Sequence, residues 1–149
     1  MSNKKIIIAL DNNDNITQIL DLIAELKDES FAFKIGYEFF FNFGIEGYKL
    51  IQNQNVRIFL DLKLHDIPNT VKNGLQSISK LNPFFTTIHI SGGDDMQNAA
   101  VFSKNNIKIL GVSILTSLDE KQTEKYYYNK NLEKIVSDFT NYALVNKLD

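Results

Sequence analysis

Short apolar runs alternate along the chain with longer stretches that mix apolar and polar residues. Five such runs begin near residues 6, 31, 57, 84 and 107, so they recur every 23–27 residues. They are apolar on both faces, as in Ile6–Leu10, which is typical of parallel strands covered on both sides. One repeat of this length accommodates a strand and a returning helix, so the pattern predicts five consecutive βα units.

Between these runs, three stretches carry apolar residues at the spacing of a helix face. The stripes are formed by Ile16, Ile19, Leu20, Ile23 and Leu26, by Val71, Leu75 and Ile78, and by Leu132, Ile135, Val136, Phe139 and Ala143. Proline is tolerated in the first turn of a helix, so Pro68 marks the beginning of the second of them. We interpret all three stripes as faces that pack in the core.

Two architectures are built from βα repeats, an open doubly wound sheet and a (β/α)₈ barrel. The first strand is not followed by a G-x-G-x-x-G turn, which disfavours the dinucleotide-binding form of the open sheet. Each of the five predicted strands instead ends in a polar or ionisable residue, and catalytic residues of barrels gather at this edge. These residues are Asp11, Lys34, Asp61 with Lys63, His89 and Thr116. The pattern favours a barrel with one shared site.

Chain length limits how much of a barrel can form. Five βα units account for all 149 residues, whereas a closed barrel has about 250. We therefore expect residues 1–149 to form a single incomplete TIM-barrel domain with about five βα units present and the last three missing. No second domain is expected.

Composition narrows the possible partners and location. The formal net charge is −2, so the chain has no basic surface typical of binding to nucleic acid or to anionic membranes. It contains no cysteine, which excludes disulfides and thiolate metal sites. The opening aliphatic run, Ile6–Leu10, is too short for a membrane span or a signal sequence. We expect a soluble cytoplasmic protein with no nucleic-acid or membrane partner.

The densest group of chemically active residues is the ten-residue segment from Asp61 to Thr70, D-L-K-L-H-D-I-P-N-T. The two-residue repeat of a strand would place Asp61 and Lys63 on one face, with Asp66 where the chain leaves the sheet. A lysine between carboxylates stays protonated and can donate a proton to a developing carbanion. The spacing alone is equally compatible with a surface cluster of ion pairs.

The complete segment resembles the signature of the orotidine 5′-phosphate decarboxylase family. Further segments resemble that family in the same order, so the likeness extends from Ile6 to Asp149 and corresponds to the first five-eighths of the barrel. These segments are Ala9–Asp11, Phe33–Gly36, Ile88–Gly93 and Val112–Ser117.

The resemblance implies a function in the last step of de novo UMP synthesis. Members of the family are homodimeric barrels that convert orotidine 5′-phosphate to UMP and CO₂ without a metal or an organic cofactor. By similarity, Lys63 would protonate C6 of the pyrimidine, and Asp61 would lie beside the departing carboxylate and fix the lysine. Asp11 and Lys34 would hold the ribose hydroxyls.

The same resemblance assigns residues to the dimer and to supporting positions. Asp66 and Thr70 would reach into the site of the partner subunit, with Asp66 contributing to catalysis, and Thr116 would contact the pyrimidine. His65 and His89 are interpreted as structural or supporting residues. Residues 91–93, Ser-Gly-Gly, are interpreted as a tight turn before the next helix rather than as a phosphate cradle.

The chain also departs from the family, because the phosphate-binding segments of the last three βα units are absent. The only arginine, Arg57, precedes the third strand and is expected at the opposite end. Binding energy from a substrate phosphate can lower the barrier at the reacting centre, and a chain without the phosphate-binding segments loses that energy. The alternative to an active decarboxylase is therefore an inactive truncated fragment or one half of a split protein.

A less favoured alternative is a Mg²⁺-dependent lyase that acts on keto-sugar phosphates. Such an enzyme needs a carboxylate at the end of the second strand, where this chain has Lys34.

Overall fold

The structure is a computed structural model that describes residues 6–11 and 14–149. The strands are β1 Ile7–Ala9, β2 Ala32–Ile35, β3 Ile58–Leu64, β4 Phe85–His89 and β5 Lys108–Val112. The helices are α1 Ile16–Leu26, α2 Tyr37–Gln52, α3 Pro68–Ser79, α4 Asp94–Ser103, α5 Glu120–Tyr127 and α6 Leu132–Val145. Every predicted strand is present, and helices connect each strand to the next, so the prediction of five βα units is confirmed.

The strands form one sheet in the order β1-β2-β3-β4-β5. β1 pairs with β2 in parallel, as does β2 with β3, through pairs such as Ala9 with Lys34 and Ile35 with Leu60. Parallel neighbours require a crossover connection, which the helices supply. A doubly wound sheet reverses its strand order at a switch point, whereas this sheet follows the order of the chain without a reversal. The observed order therefore favours the predicted barrel architecture.

The chain divides into two compact units. The first comprises the described residues up to Leu62 together with Pro83–Thr86, and the second comprises Lys63–Asn82 together with Thr87–Asp149. Each unit has its own buried apolar residues. Examples in the first are Ile19, Ile23, Phe33, Tyr48 and Leu60, and examples in the second are Val71, Leu75, Ile88, Met96 and Ile109. That residues 1–149 form a single incomplete barrel domain stays a prediction.

The predicted helix stripes differ in how far they are buried. Ile19 and Ile23 of α1 are buried, as are all three members of the α3 stripe, and Pro68 occupies the first turn of α3 as predicted. Along α6 only Ile135 is buried, and Val136 is exposed. The interpretation of the whole α6 stripe as core was therefore wrong at Val136, whereas Leu132, Phe139 and Ala143 are half-buried.

The only arginine lies where the strands begin. The Arg57 guanidinium carbon is 4.5 Å from the centre of the Phe31 ring and 5.2 Å from that of Phe84. Phe31 directly precedes β2, and Phe84 directly precedes β4. Arg57 is thus held by cation–π contacts at the edge opposite the carboxyl ends of the strands, as expected.

Within residues 6–11 and 14–149, no helix combines the length and the apolar character needed to cross a membrane.

Candidate active site

Three of the predicted site residues form an ion-paired network in the first unit. Lys34 Nζ lies 3.0 Å from Asp11 Oδ2 and 3.8 Å from Asp61 Oδ2. The parallel register explains this arrangement, because Lys34 is opposite Ala9 on one side and Phe59 on the other, each two residues before an aspartate. Asp61 is only 8% exposed, and a buried carboxylate requires a charged or hydrogen-bonded partner. Lys34 supplies that partner.

Lys63 departs from regular strand geometry. Its φ angle is 45°, although it lies within β3. Residues other than glycine rarely adopt positive φ, because Cβ then approaches the backbone carbonyl oxygen. The two-residue alternation assumes an extended backbone throughout the strand, so the common face of Asp61 and Lys63 stays a prediction. Its backbone N–H donates a hydrogen bond to Thr87 Oγ1 at 2.8 Å.

This backbone conformation gives a stability prediction. The free energy of unfolding of Lys63→Gly should exceed that of Lys63→Ala by about 1–2 kcal/mol, because glycine adopts positive φ without the Cβ penalty. Urea denaturation of both variants measures the difference. The matched control is Lys108 in β5, an exposed strand lysine outside the positive-φ positions, where glycine should be less stable than alanine. Glycine being the less stable residue at both positions would contradict a strained Lys63.

Three further predicted residues are exposed. Asp66 lies in a bend between β3 and α3, and its Oδ1 accepts a hydrogen bond from the Ile67 N–H at 2.7 Å. Thr70 lies in the first turn of α3. Thr116 was expected directly at a strand end, but β5 ends at Val112 and Thr116 lies in an exposed turn farther along the chain. Their assignment to substrate or to a partner subunit stays a prediction.

The two histidines of the chain stack on each other in the second unit. The ring centres of His65 and His89 are 5.0 Å apart, with 29° between the ring planes. Burial lowers the pKa of His89, and positive charge on His65 and Lys63 lowers it further. His89 therefore favours the neutral form, which suits a packed, supporting ring; that role stays a prediction.

The lowered pKa of His89 makes stability depend on pH. An unfolded histidine titrates near pH 6.5, so on acidification the unfolded chain takes up this proton before the folded chain does. The free energy of unfolding should therefore fall as pH decreases from about 7.5 to 5. Urea denaturation across this range, compared with His89→Gln, isolates the contribution because carboxylates titrate equally in both proteins. If the free energy of unfolding of His89→Gln fell equally or more steeply with decreasing pH, the lowered pKa of His89 would be contradicted.

The segment after β4 forms the tight turn that the sequence predicts. Residues 90–92 make a single 3₁₀ turn, and Gly93, with φ of 86°, leads into α4. This left-handed conformation is readily available to glycine.

Among residues 6–11 and 14–149, no group of three or more histidine, cysteine, aspartate or glutamate side chains is arranged to hold a metal ion.

Comparisons with known proteins agree on one family. The family model described as "Orotidine 5′-phosphate decarboxylase / HUMPS family" matches residues 4–145. The orotidine 5′-phosphate decarboxylase of Ehrlichia canis is 38% identical over 94% of this chain.

Solved structures show the same likeness. The orotidine 5′-phosphate decarboxylase from Lactobacillus acidophilus superposes with a TM-score of 0.84 and 34% identity, covering 99% of this chain and 70% of that one. The orotidine 5′-monophosphate decarboxylase from Methanocaldococcus jannaschii, complexed with inhibitor BMP, gives 0.79 and 25%, covering 98% of this chain and 65% of that one. The expected barrel fold is thereby confirmed. The chain spans less than two thirds of the curated relatives, 65% of the Ehrlichia canis protein and 64% of one from Buchnera aphidicola.

Proposed function

Because the chain belongs to the orotidine 5′-phosphate decarboxylase / HUMPS family, we propose that it carries the catalytic residues of a decarboxylase that converts orotidine 5′-phosphate to UMP and CO₂. The observation that carries this proposal is the pairing of Lys34 with both Asp11 and Asp61. A Mg²⁺-dependent relative would need a carboxylate at the position of Lys34. A lysine there favours the decarboxylase within this family.

In the proposed reaction, the bond between C6 of the pyrimidine and its carboxylate breaks, and CO₂ leaves. The electron pair stays on C6, and the Lys63 ammonium donates the proton that completes UMP. Asp61 lies beside the departing carboxylate and fixes the lysine. The burial of Asp61 supports this role, since its charge is held in place by the protein rather than by water.

Asp11 and Lys34 hold the ribose hydroxyls, and Thr116 contacts the pyrimidine. Lys34 Nζ lies within hydrogen-bond distance of both Asp11 oxygens, at 3.0 and 3.2 Å. Such a pair presents a donor and an acceptor side by side, which suits recognition of neighbouring hydroxyl groups. The relative from Methanocaldococcus jannaschii binds the inhibitor BMP, and we propose that this chain contributes the corresponding part of a nucleotide site.

We further propose a cytoplasmic homodimer in which each chain forms one incomplete barrel domain. Asp66 and Thr70 then belong to the site of the partner subunit. Both residues are exposed, so they are available for contacts beyond their own chain.

The alternative is a fragment without activity of its own, or one half of a split protein. Arg57, the only arginine, lies over Phe31 and Phe84 at the edge where the strands begin. It is thus unsuited to bind a substrate phosphate at the opposite edge. Another group or a second polypeptide must therefore bind the substrate phosphate.

One assay separates these possibilities. The chain is purified from a host that lacks its own decarboxylase, and loss of orotidine 5′-phosphate is followed with and without EDTA. Turnover that EDTA does not affect supports the proposal, whereas turnover abolished by EDTA contradicts a decarboxylase that works without a metal.

A second arm adds the remaining C-terminal part of the Ehrlichia canis relative as a separate polypeptide. Activity only after this addition identifies one half of a split site. A folded sample without turnover in either arm would contradict the proposed activity and identify this chain as an inactive fragment.

A further inference from the structure

The conformation of Lys63 needs local support. Within the described residues, the other non-glycine positions with positive φ lie in turns or at helix ends, and three of them are asparagines. Asparagine tolerates this conformation better than most residues. Lys63 differs because it carries a long side chain and lies inside a strand, where the unstrained backbone is extended. Such a conformation persists only where surrounding contacts determine it.

Thr87 provides a contact at this point. It is 4% exposed and lies in the middle of β4. Its Oγ1 accepts a hydrogen bond from the Lys63 N–H at 2.8 Å, whereas the usual acceptor in a sheet is a backbone carbonyl oxygen. A β-branched side chain has few available rotamers, so the position of the hydroxyl is well determined.

We propose that Thr87 is a positioning residue for Lys63. Its hydroxyl holds the Lys63 backbone in the left-handed conformation, which sets the point from which the ammonium group reaches C6. The consequence for catalysis rests on the proposed function, whereas the conformational part does not. A small displacement of a catalytic group can reduce the rate about 100-fold, so loss of this hydroxyl should lower kcat more than it changes KM.

The neighbouring Thr86 offers a matched control. It is fully buried on the same strand, and its Oγ1 donates a hydrogen bond to the Leu60 carbonyl at 2.9 Å. Thr86→Val and Thr87→Val therefore remove the same chemical group from adjacent positions. Both substitutions remove a side-chain hydrogen bond to β3, but only Thr87→Val removes the one to Lys63.

The test measures the Lys63 amide by NMR in the 149-residue chain. Thr87→Val should make its hydrogen exchange at least about tenfold faster and change the scalar coupling that reports φ. Thr87→Ser, which keeps the hydroxyl, and Thr86→Val should leave both readouts near wild type. Unchanged exchange and coupling at Lys63 in folded Thr87→Val would overturn the proposal.

If Thr87→Val does not fold, Thr87→Ser decides instead. Retention of the Lys63 exchange rate and coupling supports the proposal, and their loss despite the retained hydroxyl overturns it.

Turnover provides the second readout. Thr87→Val should lower kcat by about 10–100-fold with KM changed less than about twofold, and Thr87→Ser should restore most of the rate. Wild-type kcat in Thr87→Val would overturn the positioning role. If wild type itself is inactive while the NMR differences appear, the proposed activity of the chain fails but the positioning of Lys63 by Thr87 is upheld.

Discussion

Lys63→Ala should lower turnover of orotidine 5′-phosphate by about 10²–10⁴-fold or more, because a positioned general acid contributes on this scale. Alanine cannot protonate C6, and the carbanion left by CO₂ then depends on water for its proton. Steady-state assay of wild type and variant, under whichever condition gives wild-type turnover, measures the effect. The fold should persist, since Lys63 is only half-buried.

The matched control for this variant is Lys49→Ala. Lys49 is exposed on α2 and pairs with Glu46 at 2.8 Å, and surface pairs of this kind contribute little. Its turnover should stay within about twofold of wild type. If Lys63→Ala retained turnover comparable to Lys49→Ala, Lys63 would not be the proton donor.

The fold was largely predictable because its signal repeats. Doubly covered parallel strands are apolar on both faces, and five such runs at similar spacing specify the βα order. Strand ends were less well predicted, since the apolar run to Leu115 continues beyond Val112, where β5 ends. The face of α2 was not identified, because aromatic residues crowd Phe39–Phe43 and Gly44, with φ of 58°, interrupts the helix.

The network of Asp11, Lys34 and Asp61 was predictable for a different reason. Adjacent parallel strands bring their carboxyl ends to one edge, so polar residues at those ends become neighbours. Positive φ at Lys63 could not be predicted, since the two-residue alternation assumes an extended backbone throughout the strand. Thr87 was also missed, and the available signal was a pair of threonines between Phe85 and Ile88.

Asp66→Ala should also lower turnover strongly, and its combination with Lys63→Ala tests where Asp66 acts. In a twofold dimer with Asp66 contributed across the interface, each site combines Lys63 of one subunit with Asp66 of the other. A heterodimer of the two variants then has one site with both defects and one intact site. An equimolar mixture that is refolded together should regain about a quarter of wild-type turnover, since half of the dimers are heterodimers.

The recovery distinguishes cross-subunit assembly from a role within one chain. If Asp66 served the site of its own subunit, each site of the heterodimer would carry one defect and turnover would stay low. The control mixes Asp61→Ala with Lys63→Ala, two residues proposed to serve the same site from the same chain, and should show no recovery. Differently tagged variants verify that heterodimers form, so absence of recovery in verified heterodimers would place Asp66 in its own subunit's site.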